Sequence, residues 1–365
     1  MVGCYRDILL AMALLAALGL QSKTFGQAAE PAPAPSKFDL GNPPPIDPLP
    51  NFPRPLDEPR SLFTQPKPMP LPPPLPGPYF EQDPLLDPPQ LPAPGLFATV
   101  ETGYFASHVK NHLANFVSIG AGPPAFVQLP SATLDWTVTP RFEVGYRLPS
   151  GFGEFVMGYR FLVTEGSGSI FGPDGIAALK SRLDVNVFDW DYASREYSLW
   201  PHCDMKWRLG VRLSYVYFDS RADEPFGLAA AGTGVFERRV SNSFVGVGPH
   251  SGLELSRRME GTGLAFTSKL DLGTHLGRIR QGFFEESTTL NAAGQPLTGE
   301  TRNSGSQAVP TLNVQAGVSW QPPACPAAHF FLGYQYERWW TLGQLADSAA
   351  ELTDQGIFLR AEFNF

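Results

Sequence analysis

The chain has 365 residues, a formal net charge of −8, and only 17% charged residues against 43% hydrophobic and 12% aromatic ones. An acidic balance excludes a protein that binds nucleic acid by neutralising phosphates, and the charged fraction lies below the ~25% of ordinary soluble domains. Beyond the N-terminus there is no run of ~20 apolar residues, so any passage through a membrane has to be made by strands and not by helices.

Arg6 supplies a basic start, Ile8 to Leu20 an apolar stretch, and Thr24, Gly26 and Ala28 the small residues of a cleavage site. That order is the order of an export signal. Residues 1–28 therefore read as a signal peptide, and Cys4, lying before the apolar stretch, is not placed as a lipid acceptor. From Pro31 to Pro94, 24 of 64 residues are proline. Each proline fixes φ and removes an amide donor, so neither helix nor sheet can propagate. Residues 29–94 read as a disordered, polyproline-II-biased tether, a spacer on the periplasmic side that a cell-wall partner could grip through its scattered Leu, Phe and Ile.

After Gly95 long alternating runs begin, separated by Gly, Pro, Ser and Asp. In order they predict strands over 96–107, 132–148, 152–164, 179–192, 204–219, 242–255, 263–280, 307–320, 329–340 and 355–365. The second run is the most regular. Leu134, Trp136, Val138, Phe142, Val144 and Tyr146 share one face, and Arg141, Glu143 and Arg147 the other, with Pro140 expected to cause a bulge or local break. The fifth run repeats the chemistry, setting Trp207, Leu209, Val211, Leu213, Tyr215 and Tyr217 against Lys206, Arg208 and Arg212. Strands of soluble sandwiches average about five or six residues, whereas a tilted membrane strand needs ~9–11. Links such as 149–151, 256–262 and 321–328 are short and alternate with longer ones. Short turns on one rim and long loops on the other are how transmembrane barrels are built. Barrel closure is also the only sheet solution that leaves no unpaired edge in lipid.

The expected fold is thus all-β, an antiparallel up-and-down transmembrane barrel over residues 95–365, with about ten strands. Eight to twelve remain open, because 110–130 and the segment after Gly282 could each hide a further strand. The last run, "GIFLRAEFNF", puts Ile357, Leu359, Ala361, Phe363 and Phe365 on one face. A final strand ending in Phe resembles the insertion signal read by the barrel assembly machinery, with Phe363 and Phe365 as its key residues. The expected location is the outer membrane, and the lipid there is the expected partner.

Three phrases, "WRLGVRLSYVYFDS" (207–220), "FVGVGPHSGLEL" (244–255) and "FFLGYQYERWW" (330–340), resemble the Legionella-type pore-forming major outer-membrane protein family. The resemblance extends over about 95–365 and implies an outer-membrane porin that passes small polar solutes or ions by diffusion. The Pro-rich tether is not part of the family pattern.

Catalytic motifs are weak. His250 and Ser251 are adjacent on a strand and so point to opposite faces. His108 and His112 have i,i+4 spacing but no helix to align them, and "GVGPHSG" lacks the following helix of a dinucleotide loop. No enzyme activity, metal or cofactor is expected. Cys203 and Cys325 leave two readings open, one disulfide or two separate thiols. What remains is the lumen. On the assigned register its lining would be Arg141, Glu143, Arg147, Glu154, Arg160, Lys180, Arg182, Asp184, Lys206, Arg208, Arg212, Lys269 and Asp271. The functional reading is a narrow pore whose basic side around Lys206, Arg208 and Arg212 favours anions. The competing reading is a barrel plugged by its own salt bridges, which would anchor loops without conducting, since small barrels are nearly filled by their side chains.

Overall fold

The computed structural model describes residues 94–365 apart from 121–123, 173–174, 224–236, 260–261, 292, 324, 326 and 346–347. The signal peptide and nearly all of the Pro-rich tether lie outside the described residues.

Thirteen strands follow in chain order: β1 (Gly95–His112), β2 (Ala114–Val117), β3 (Ala125–Gln128), β4 (Thr137–Arg147), β5 (Glu154–Gly172), β6 (Gly175–Ala193), β7 (Tyr197–Trp200), β8 (Cys203–Asp223), β9 (Glu237–Met259), β10 (Leu264–Leu290), β11 (Pro296–Trp320), β12 (Ala328–Trp339) and β13 (Ala349–Asn364). Ten of them form the wall, each pairing antiparallel with its neighbours in the order β6-β5-β4-β1-β13-β12-β11-β10-β9-β8. A sixteen-residue register between β6 and β8, from Ala178↔Asp223 to Ala193↔Arg208, closes the ring. Among the described residues no wall strand is left without a partner on either side, as a sheet in hydrocarbon requires. The first and last wall strands meet at Phe97↔Asn364, so both ends of the barrel lie on the short-turn rim.

The ten wall strands coincide with the ten alternating runs. The two segments in which a further strand is left open come out differently. Residues 110–130 do hold extra strands, but β2 and β3 pair only with each other and stand outside the wall order. The segment after Gly282 holds no new strand; β10 and β11 simply continue past it, with Phe283↔Thr301 and Phe284↔Glu300 still in register. Most of the supposed long loop after residue 280 is therefore strand. A polar outer face is no obstacle beyond the bilayer, where water takes the place of lipid.

Alternation sorts the wall into two surfaces. On β8 the outward residues from Trp207 to Tyr217 are all apolar or aromatic. Ten steps of ~3.3 Å at a tilt of ~40° climb about 25 Å, the height of the apolar band on an outer-membrane barrel. Pro140 sits outward on β4 and keeps its register with Thr102 of β1 without a bulge. The ladder to β5, however, begins only at Arg141↔Arg160. The break is therefore one-sided, falling where proline withholds its donor. β7 occupies the longer fourth turn and pairs only with the first residues of β8. Among the described residues no disulfide joins Cys203 to Cys325.

Candidate functional site: the salt-bridged lumen

Inward positions on β4, β6 and β8 carry closely spaced charges, β5 and β12 add Glu154, Arg160 and Glu337, and the barrel is narrow enough for opposite walls to meet. Near the short-turn rim Arg147 on β4 reaches Glu154 of β5 at 3.3 Å and pairs also with Glu362 of β13, while Lys206 of β8 pairs with Glu154. Above this layer Arg141 bonds Glu143 (2.8 Å) and Asp189 of β6 (3.4 Å). Arg212 of β8 donates to the same Asp189 through Nε at 2.5 Å and Nη2 at 3.1 Å. Arg208 bridges Asp191 of β6 (3.3 Å) and Glu143 (3.5 Å), three wall strands away. His250 of β9 places Nε2 2.6 Å from Asp191 Oδ1. On the opposite side Lys269 lies 3.4 Å from Asp271. Arg360 of β13 holds Glu101 of β1 at 2.6 Å and donates to Gln315 of β11 at 3.0 Å.

One pair crosses the lumen outright. Arg160 on β5 meets Glu337 on β12 with two parallel hydrogen bonds, Nη2 to Oε1 at 2.8 Å and Nη1 to Oε2. Glu337 is wholly buried and also accepts from Gln335 Nε2 (3.1 Å) and Trp339 Nε1 (3.0 Å). Four donors thus satisfy one buried carboxylate, which is what makes such a charge tolerable away from water.

Above Arg160 the inward face turns apolar. Leu162, Leu183, Val185, Val187, Phe218, Phe244, Ile279 and Trp339 form one buried cluster with Leu134 and Leu342, which come from the loops after β3 and β12. A second cluster seats Leu113, Val117, Val127 and Leu129 of the β2–β3 segment against Leu179, Val240 and Phe283 of the wall. Hydrogen bonds pin both loops inward: Asn111 Nδ2 to Leu129 O (2.8 Å), Ala132 N to Ser181 Oγ (2.9 Å) and Gln281 Nε2 to Gly343 O (2.8 Å). The loops cover an apolar mouth, and the charges fill the barrel beneath it.

Of the thirteen residues expected to line the lumen, Arg141, Glu143, Arg147, Glu154, Arg160, Lys206, Arg208, Arg212, Lys269 and Asp271 lie inside. Lys180, Arg182 and Asp184 do not: on β6 the buried residues are Ser181, Leu183, Val185 and Val187, and these three charges face outward. The rule that polar means inward reverses at this height, because the interior is roofed by apolar loops and the exterior has left the hydrocarbon. A basic side around Lys206, Arg208 and Arg212 is not found either, since each is matched by a carboxylate, Glu154, Asp191 or Asp189. Sequence reading missed Glu101, Asp189, Asp191, His250, Glu337, Arg360 and Glu362. Asp189 and Asp191 carry a usable signal, alternating with Phe188, Trp190 and Tyr192 in "FDWDY".

Phe363 keeps the outward register of β13 but is buried, packed edge-to-face with Phe330 at 6.4 Å, while Phe365 is exposed. His250 is buried and Ser251 exposed, on opposite faces of β9. His108 and His112 both lie on strand β1, where four strand residues separate them by ~13 Å. Among the described residues no group of three or more His, Cys, Asp or Glu could hold a metal ion.

Residues 126–360 match the protein family described as Legionella pneumophila major outer membrane protein precursor. No curated protein matches the chain in sequence. Among solved structures it is similar to the outer membrane protease OmpT from Escherichia coli, with 12% identity, a TM-score of 0.40, and coverage of 74% of this chain and 96% of that one. It is also similar to the toluene transporter TodX of Pseudomonas putida (9%, TM-score 0.27, 74% and 90%). A third is Ail, the attachment invasion locus protein of Yersinia pestis (12%, TM-score 0.23, 74% and 99%).

Proposed function

Since the chain belongs to the Legionella pneumophila major outer membrane protein family, which its residues 126–360 match, we propose that it is an outer-membrane barrel closed by its own side chains. In this reading it anchors and displays its extended outer strands and does not conduct. The observation that carries it is the Arg160–Glu337 pair, held across the lumen beneath an apolar roof. An open channel needs a lane of water, and here opposite walls are in contact. β10 and β11 continue past the apolar band as a paired hairpin, a rigid post outside the membrane. Delivery would rely on the leader over 1–28 and on recognition of Phe363 and Phe365 by the barrel assembly machinery. The 29–94 tether, joined to β1 at the short-turn rim, would then lie in the periplasm.

A second reading, a narrow passive pore for small polar solutes or ions, is favoured by one feature: below the roof the lumen is lined by charge and not by Leu and Val. Swelling of liposomes holding the refolded full chain separates the two. Closed barrels leave uptake of small sugars at the rate of protein-free liposomes; uptake that scales with protein content overturns the closed reading.

A further inference from the structure

Toward the long-loop rim, the outer face of β10 changes character within one residue step. Leu213, Val247 and Leu276 form a row of exposed apolar side chains across three paired strands. The next outward residue on β10 is Arg278, and after it Arg280. Between these and Arg239 of β9 the floor is made of small residues, with Gly282 paired to Ser241. On the far side Gly282 is paired to Arg302 of β11. The result is a groove of about 670 Å³ on the outside of the barrel, rimmed by Arg239, Arg278, Arg280, Arg302 and Tyr217.

The carboxylates nearby are already used. Asp219 holds Arg239 at 3.1 Å, Glu300 holds Arg302 at 2.5 Å, and Glu237 holds Arg221 at 3.3 Å. Arg278 donates to the neutral Ser304 Oγ at 3.3 Å. Among the described residues no carboxylate pairs with Arg278 or Arg280. Two guanidinium groups with free donors therefore stand over a cavity at the level where acyl chains give way to headgroups. Guanidinium forks match phosphate oxygens in geometry and charge, and the hydroxyls of Tyr217 and Ser304 add neutral donors.

We propose that this groove binds the phosphate of a lipid headgroup in the outer leaflet, with Arg278 and Arg280 as the principal contacts and the acyl chains lying on Leu276, Val247 and Leu213. The proposal rests on the membrane placement of the barrel and is independent of whether its lumen conducts. Detergent-solubilised full-length protein is titrated with diphosphoryl lipid A, with the same lipid lacking phosphate, and with inorganic phosphate as competitor. The expected result is preference for the phosphorylated lipid, weak competition by inorganic phosphate, and a loss of about tenfold or more in affinity for the Arg278→Gln/Arg280→Gln double variant. Arg182→Gln, an outward arginine on β6 held by Asp184, is expected to bind as the parent does. Heat-modifiable migration reports that each barrel is folded. Should the double variant not fold, Arg280→Gln and Arg280→Lys take its place, the lysine retaining most of the affinity the glutamine loses. Equal binding of the lipid with and without phosphate overturns the site, as does equal loss in the glutamine and lysine variants. Displacement by inorganic phosphate at equal concentration overturns the lipid as its source.

Discussion

Replacing Arg160 by alanine removes the cationic half of the cross-lumen pair. Its side chain is 10% exposed and that of Glu337 not at all. The carboxylate left behind keeps Gln335 and Trp339 as donors but has lost both guanidinium bonds and its countercharge. Breaking a buried pair on one side costs about 3–5 kcal/mol, whereas the same pair in a water-filled channel would be worth ~0–1 kcal/mol. The two readings of the lumen thus differ by several kilocalories in one variant. Reversible urea unfolding from phospholipid vesicles, followed by tryptophan fluorescence, measures it. Removing the charges together, as Arg160→Met/Glu337→Leu, should restore stability to within about 1–2 kcal/mol of the parent, because no buried charge is then stranded. A loss below ~1 kcal/mol in Arg160→Ala would refute the dry lumen.

Other outcomes follow from the same geometry. Leu272→Arg, on the lipid face of β10, should cost about 2–4 kcal/mol in the same titration, while Ser306→Arg, outward on β11 beyond the belt, should cost ~0–1; equal costs would misplace the belt. Gly248→Ala would push a methyl group into the Thr274 carbonyl of the neighbouring strand, and an expected loss of about 1–3 kcal/mol would report that close approach. Val127→Asp buries a charge among Leu113, Val117 and Leu129 and should release the β2–β3 segment. Limited proteolysis would then cut between residues 113 and 134 while heat-modifiable migration of the barrel persists; unchanged resistance would show that the segment is not held by that cluster.

The wall was legible because the bilayer imposes one rule on it: apolar outward, polar inward, for as long as the strand is in hydrocarbon. Thr137–Arg147 obeys that rule, and so does 207–217, whereas Leu134, expected on the lipid face, lies in the loop before β4 and is buried in the interior cluster. Where lipid ends the rule ends. Lys180, Arg182 and Asp184 sit outside while Leu183 and Val185 point in, because the loops after β3 and β12 bring their own apolar residues into the mouth. Nothing in the strand pattern announces those loops. β7 escaped, and β2 and β3 were legible only as an open possibility within 110–130, because four-residue pairings carry too little periodicity to be read. The lumen charges were visible as residue types, but their partners were not. Arg160 and Glu337 are 177 positions apart, and only closure of the ring brings them together.

Whether the lumen is closed by its own ion pairs can be read most directly from single-channel recording. Full-length protein refolded and inserted into planar bilayers, with insertion verified by heat-modifiable migration of the same sample, should give no discrete current steps across ±100 mV, a range set on the order of biological membrane potentials. Reproducible ohmic steps from the unmodified chain would contradict the account.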